Sequence, residues 1–143
     1  MYKKNRKSLA GSFIYTRKTH EKENAEDYVE LIGDLIQSEG EARVVDIAKR
    51  LGISKATVNQ TINRLTKKGL VRSKPYRSIH LTKTGKQIAG SMRKRHNIVY
   101  NFLLSIGVDN KTAEKESEGI EHHVGRKTLL IFKKLTRKRS KKK

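Results

Sequence analysis

The chain has 143 residues, with 34 Lys and Arg against 14 Asp and Glu, for a formal charge of +20. That length holds one or two small domains. The absence of cysteine rules out disulfides, thiolate zinc sites and thiol catalysis. No apolar run approaches the ~20 residues a membrane-spanning helix needs, and the basic N-terminus leads into no apolar signal-peptide core, so neither a membrane partner nor a signal peptide is expected. The lack of cysteine fits a reducing, cytoplasmic location.

The distribution of charge says more than its sum. Nine acids lie between Glu21 and Asp46 and five between Asp109 and Glu121, whereas Ile47 to Val108 holds 14 Lys and Arg and no acid. Both ends are also basic, with six positive residues up to Lys18 and eight from Lys133 onward. Such separation suits one surface for phosphate and another for cations, where a merely soluble surface would intersperse the signs.

Residues 1–23 are basic and polar without helical period, and are expected to form a disordered arm. From Ala25, the residues Tyr28, Leu31, Ile32, Leu35 and Ile36 recur at helical spacing and predict an amphipathic helix that stops near Gly40. Asp27, Glu30 and Asp34 form a separate acidic edge on it. Val44 to Leu51 predicts a short helix, Gly52 a tight turn, and Ser54 the N-cap of a second helix with Val58, Ile62 and Leu65 on its apolar stripe. Lys55, Thr57, Asn59, Gln60 and Asn63 are left polar and outward. This is a helix-turn-helix pattern whose second helix carries side chains able to read base edges. Two short β-rich runs around Lys74-Pro75-Tyr76-Arg77-Ser78 predict a basic hairpin, which makes the pattern a winged helix with Arg77 in its wing.

A long helix follows from about Lys86 to Ser105, with Ile88, Met92, Val99, Leu103 and Ile106 on one seam. His96 falls on that seam, where a half-buried histidine bonded to a backbone carbonyl competes with a metal ligand. Asp109 caps the next helix, whose expected buried stripe is Ala113, Ser117, Ile120 and Val124. Beside it, Glu118, Glu121 and His122 stack at i, i+3 and i+4. Two carboxylates and an imidazole suit Mn(II), Fe(II) or Zn(II), and equally a solvated helix face. Gly119 costs about 1 kcal/mol relative to Ala in mid-helix, which suggests close backbone approach. Leu129, Leu130, Phe132 and Leu135 predict a last short helix, with a disordered basic tail over 136–143.

Asp27-Tyr28-Val29-Glu30, the Gly52-Ile53-Ser54 turn, Arg95-His96 and Glu118-Gly119-Ile120-Glu121-His122-His123 together resemble the diphtheria-toxin-repressor family, and within it the bacterial manganese transport regulators. The resemblance covers about residues 25–135. It implies a mainly α fold with a small β-hairpin: a winged-helix DNA-binding domain (24–90) followed by a helical metal-binding and dimerisation domain (91–135). It further implies a cytosolic homodimer that binds double-stranded operator DNA when loaded with metal, chiefly repressing metal-uptake genes. The implied ligands are Asp27, Glu30, His96, Glu118, Glu121 and His122, holding two Mn2+ per subunit, with Glu30 and Glu121 bridging and the Glu118 carbonyl contributing. Fe2+ is the alternative metal. Iron-responding relatives place Met at the position of Asp27 and Cys at that of Glu121, and exchanging sulfur for oxygen favours the harder Mn(II). The basic arm and Lys-rich tail depart from the family pattern.

Three other readings stand against this one. Glu/His two-metal sites can activate water, but the sequence holds neither a Gly-rich phosphate loop nor a nucleophile elbow, so no enzyme is expected. A winged-helix repressor answering to iron or an organic ligand would share the DNA-binding half, although no organic ligand is expected. A nucleoid-type coating protein would use the basic ends for sequence-independent binding.

Overall fold

The computed structural model describes residues 9–142. Contacts divide the chain between Lys86 and Gln87 into two compact units.

The first unit opens with α1 (Leu9–Glu39), which ends where Gly40 takes a left-handed φ of +83°. This helix begins well before Ala25, so the part of the expected disordered arm from Leu9 to residue 23 is helical instead; residues 1–8 of that arm lie outside the described residues. The segment holds no proline, and adding residues to an existing helix costs far less than nucleating one. Val29 and Ile32 are fully buried on α1.

Helix α2 (Val44–Leu51) is held at its start by the Arg43 N–H donating to Asp46 Oδ2 at 3.2 Å. It ends at Gly52 in the left-handed conformation (φ +66°), which a side chain would resist. Ser54 caps α3 (Lys55–Lys67) by accepting from the Thr57 N–H at 3.1 Å. Val58, Ile62 and Leu65 are buried as the stripe predicts, and Thr61 joins them.

The hairpin is short: β1 (Val71–Arg72) pairs antiparallel with β2 (His80–Leu81), Val71 opposite Leu81 and Arg72 opposite His80. Its base is widened by Ile79, whose N–H donates to the Ala42 carbonyl at 2.8 Å. At the tip the Arg77 N–H closes a turn onto the Lys74 carbonyl at 3.1 Å. Tyr76 sits in that turn at φ +60°, fully exposed. The helix that follows, α4 (Lys83–Ser105), starts hard against the hairpin. Thr82 Oγ1 donates to the Gly69 carbonyl at 2.6 Å and accepts from the Gly85 N–H at 3.1 Å. A Cβ on Gly85 would lie 2.1 Å from the Leu70 carbonyl oxygen.

The second unit takes the rest of α4, then α5 (Asn110–His123) and α6 (Arg126–Lys141). Val99, Leu103, Ala113 and Leu129 form its buried cluster, and Phe102 stacks on Phe132 with ring centroids 4.0 Å apart. Ile106, expected on the α4 seam, is 46% exposed because it lies beyond the helix end at Ser105 and so leaves the helical register. Asp109 caps α5 by accepting from the Thr112 N–H at 3.0 Å, and the hydrogen bonds from Thr112 hold its carboxyl below the usual range. Helix α6 corrects the expected disordered tail, running on to Lys141 with eight Lys and Arg and no acid. Lys and Arg are good helix formers, and Lys138, Arg139 and Lys141 in the last turn suit the negative end of the helix dipole.

Candidate metal centre and nucleic-acid interface

Helix α5 buries a different row from the one its apolar residues suggest. Ala113, Ser117 and Glu121 are buried, at i, i+4 and i+8, while Ile120 and Val124 are only half-buried. Val124 has left the helix, with an extended backbone at φ −92°, and so no longer marks its face. The row is therefore turned toward the acids. Glu121 is not beside the core but inside it, with 0% exposure.

Burying a carboxylate is costly unless something charged or hydrogen-bonding faces it. Here His96 of α4 does so: its Nδ1 lies 2.8 Å from Glu121 Oε2. The same Nδ1 is 3.6 Å from Glu118 Oε1 and 3.5 Å from Ser117 Oγ. Ser117 itself donates to the Glu114 carbonyl at 3.0 Å. On the other edge of the ring, His96 Nε2 is 3.6 Å from Glu114 Oε1. Tyr100, one turn along α4, lies nearly parallel to the imidazole, 7° between planes. His122 Nε2 approaches Glu121 Oε1 at 3.8 Å, with both side chains almost wholly buried.

Four of the six expected ligands thus form one polar group within the second unit: His96, Glu118, Glu121 and His122. Asp27 and Glu30 stand three residues apart on α1 in the first unit, Asp27 exposed and Glu30 half-buried. His96 has carboxylate neighbours, and the backbone-carbonyl alternative is not the bond made by its Nδ1. Imidazole nitrogen and carboxylate oxygen without sulfur form a donor set that fits a divalent metal of moderate hardness.

Two members of this neighbourhood had no role assigned from the sequence, although Arg95 stood in the Arg95-His96 motif. Arg95 donates from Nε to the Glu121 carbonyl at 2.8 Å and from Nη2 to the Val124 carbonyl, tying the C-terminal end of α5 to α4. Glu114 belongs with His96 and Glu118 in a set whose ligand atoms all lie within 4.8 Å of one another. It stands four residues before Glu118 on α5, and that spacing was the available signal. Within the chain, a Cβ on Gly119 would meet nothing within 4 Å.

On the winged-helix side Lys55, Thr57, Asn59, Gln60 and Arg77 are all exposed. Thr57 is partly committed, its Oγ1 lying 2.9 Å from Ser54 Oγ. A cleft of about 830 Å³ runs along the wing and is lined by Arg43, Arg72, Lys74 and Arg77 among others. Two residues that line the cleft, Ser78 and Arg43, bond the exposed Glu41. The Ser78 hydroxyl donates to it at 2.8 Å and Arg43 Nε at 3.0 Å, and these bonds hold its carboxyl below the ordinary range.

Among the described residues no helix is long and apolar enough to cross a membrane. Residues 21–79 match the model of the iron dependent repressor N-terminal DNA binding domain. Residues 82–140 match that of the iron dependent repressor metal binding and dimerisation domain. The transcriptional regulator MntR of Escherichia coli O157:H7 is 47% identical over 126 residues, 88% of this chain and 81% of that protein. The HTH-type transcriptional regulator MntR of Bacillus subtilis strain 168 is 39% identical over 99 residues, 69% of this chain and 70% of that protein. A solved manganese-dependent transcriptional repressor in complex with manganese superposes with a TM-score of 0.69 at 28% identity, covering 78% of this chain. This chain spans about half of that longer one, 52%. With a DNA-binding half and a metal-binding half each matched in order, the chain belongs to the iron dependent repressor family.

Proposed function

We propose that this chain is a manganese-responsive transcriptional regulator of the cytoplasm, a homodimer that binds operator DNA when metal is present and mainly represses metal-uptake genes. The observation that carries the reading is the buried Glu121 carboxylate held 2.8 Å from His96, with Glu118 on the same imidazole nitrogen. A structural ion pair would need only two such groups. A cation site gathers several around one point.

Asp27 and Glu30 would join His96, Glu118, Glu121 and His122 as ligands, a set that would hold two ions per subunit. Bound Mn(II) supplies positive charge among carboxylates that otherwise repel one another. Because Asp27 and Glu30 belong to α1 and the others to α4 and α5, metal held by all six would couple the two units. Held in one arrangement, the two α3 helices of a dimer meet DNA without an added ordering cost, which raises operator affinity. Lys55, Thr57, Asn59 and Gln60 would then face base edges and Arg77 a phosphate.

The test is duplex binding at one salt concentration, on a site selected from a random library, titrated with Mn(II), Fe(II), Co(II) and Zn(II). Binding should rise with metal and collapse on chelation. Binding that ignores chelator would sink the proposal and favour a repressor of another ligand.

A further inference from the structure

We infer that Glu114 is a positioning residue for the metal centre: its carboxylate faces Nε2 of His96 and favours the ring proton there when Nδ1 is offered to a metal. The inference rests on the reading of His96 as a ligand. Its own observation is different, because Glu114 meets Nε2 of the ring, whereas Glu118 and Glu121, assigned as ligands, meet Nδ1.

The two edges of the imidazole meet different groups. Nδ1 is turned toward Glu121 at 2.8 Å and Glu118 at 3.6 Å, so it is the nitrogen on the ligand side. Nε2 is turned toward Glu114 Oε1 at 3.6 Å. A neutral imidazole carries one N–H and one lone pair, and only the lone pair can bind metal. Without metal, the 2.8 Å bond to Glu121 places the ring proton on Nδ1. Once an ion takes the Nδ1 lone pair, the remaining N–H must sit on Nε2, where the Glu114 carboxylate faces it. Outer carboxylates of this kind orient metal-binding histidines and raise their basicity, and losing them typically costs 10–100-fold in affinity.

The ring is otherwise well constrained. Tyr100 lies parallel to it, and Ser117, bonded to the Glu114 carbonyl, touches its Nδ1 at 3.5 Å. Glu114 is 63% exposed, so replacing it should leave the core intact. Glu116, exposed two residues on, carries the same charge without facing the ring and serves as the control.

The experiment measures Mn(II) affinity of the full chain by competition with a fluorescent chelator for Glu114→Ala, Glu114→Gln and Glu116→Ala. Glu114→Ala should bind about 10-fold more weakly, Glu114→Gln should fall between it and the parent, and Glu116→Ala should match the parent. In the Zn(II)-loaded protein, long-range proton–nitrogen NMR should show His96 protonated at Nε2, with that proton exchanging faster in Glu114→Ala. Adding Glu114→Ala to His96→Ala should cost nothing further. Equal losses at Glu114 and Glu116 would reduce the effect to bulk charge and overturn the inference. So would unchanged affinity in Glu114→Ala, or a drop in the number of ions bound, which would make Glu114 a ligand itself. Parental affinity in His96→Ala alone would instead overturn the site assignment on which the inference stands.

Discussion

The two units place their functional side chains in opposite ways. In the first, the candidate DNA-facing residues stand outward on α3 and in the wing, and the burial lies behind them in Val58, Ile62 and Leu65. In the second, the candidate metal group is turned inward: Glu121 is wholly buried, and His96 touches three carboxylates and a serine. An outward residue can be exchanged with little disturbance to its neighbours, whereas members of a buried polar group depend on one another. The first surface should behave as a sum of contacts and the second as a single unit.

The sharpest test of that contrast is His96→Ala. It should abolish metal-dependent DNA binding while leaving a folded dimer, and combining it with Glu121→Ala should add almost nothing. Gel-shift titration with and without Mn(II), beside size-exclusion of each variant, reads both halves. If the two losses add, the buried group is not a unit.

On the outward side, Gln60→Ala should cost about 1–3 kcal/mol on the preferred site and change which base is favoured. Arg77→Ala should weaken all sequences alike and reduce the slope of log affinity against log salt by about one. The double variant should lose the sum of the two. A salt titration on selected and random DNA tells them apart. Sequence preference that moves with Arg77 and not with Gln60 would reverse the assigned roles of helix and wing.

Ser54→Ala removes the cap on Thr57 and should lower stability by about 1 kcal/mol, measured by urea unfolding of the metal-free protein. The metal affinity of the second unit should not change.

The smallest effect concerns the base of the wing. The folded-state pKa of Glu41 is lowered, chiefly by the Ser78 hydroxyl and then by Arg43. Its contribution is therefore present above the ordinary carboxylate range and is lost as pH falls through the lowered value. NMR shifts of Ser78 and Ile79 should follow that titration, and Glu41→Gln should flatten it. Persistence of the same titration in Glu41→Gln would assign it to another group.

What the sequence made legible was set locally. Ser54 and Asp109 as caps, Gly40 and Gly52 as stops, and the α3 stripe all depend on residues a few positions apart. The expected metal residues of the second unit were legible through their motif, but their burial was not. That Glu121 belongs to the buried row follows from Val124 leaving the helix and from Arg95 holding the end of α5, contacts that join residues 26 and 29 apart. Gly85 was equally silent in sequence, because its closeness to the Leu70 carbonyl is a matter of tertiary approach. The described parts of the two basic ends differ from expectation for another reason: a lack of apolar period argues against burial, yet α1 from Leu9 and α6 to Lys141 are helical there all the same.

Helix α6 has a consequence of its own. Lys133 with Arg137, Lys134 with Lys138, and Arg137 with Lys141 are like charges one turn apart, a spacing that works against a helix by a few tenths of a kcal/mol each. Screening relieves that repulsion. The final turns should therefore fray least in concentrated electrolyte and most in dilute buffer, the reverse of how any contact between the protein and a polyanion responds to salt. A single change of ionic strength would firm one part of the molecule while loosening its grip on another.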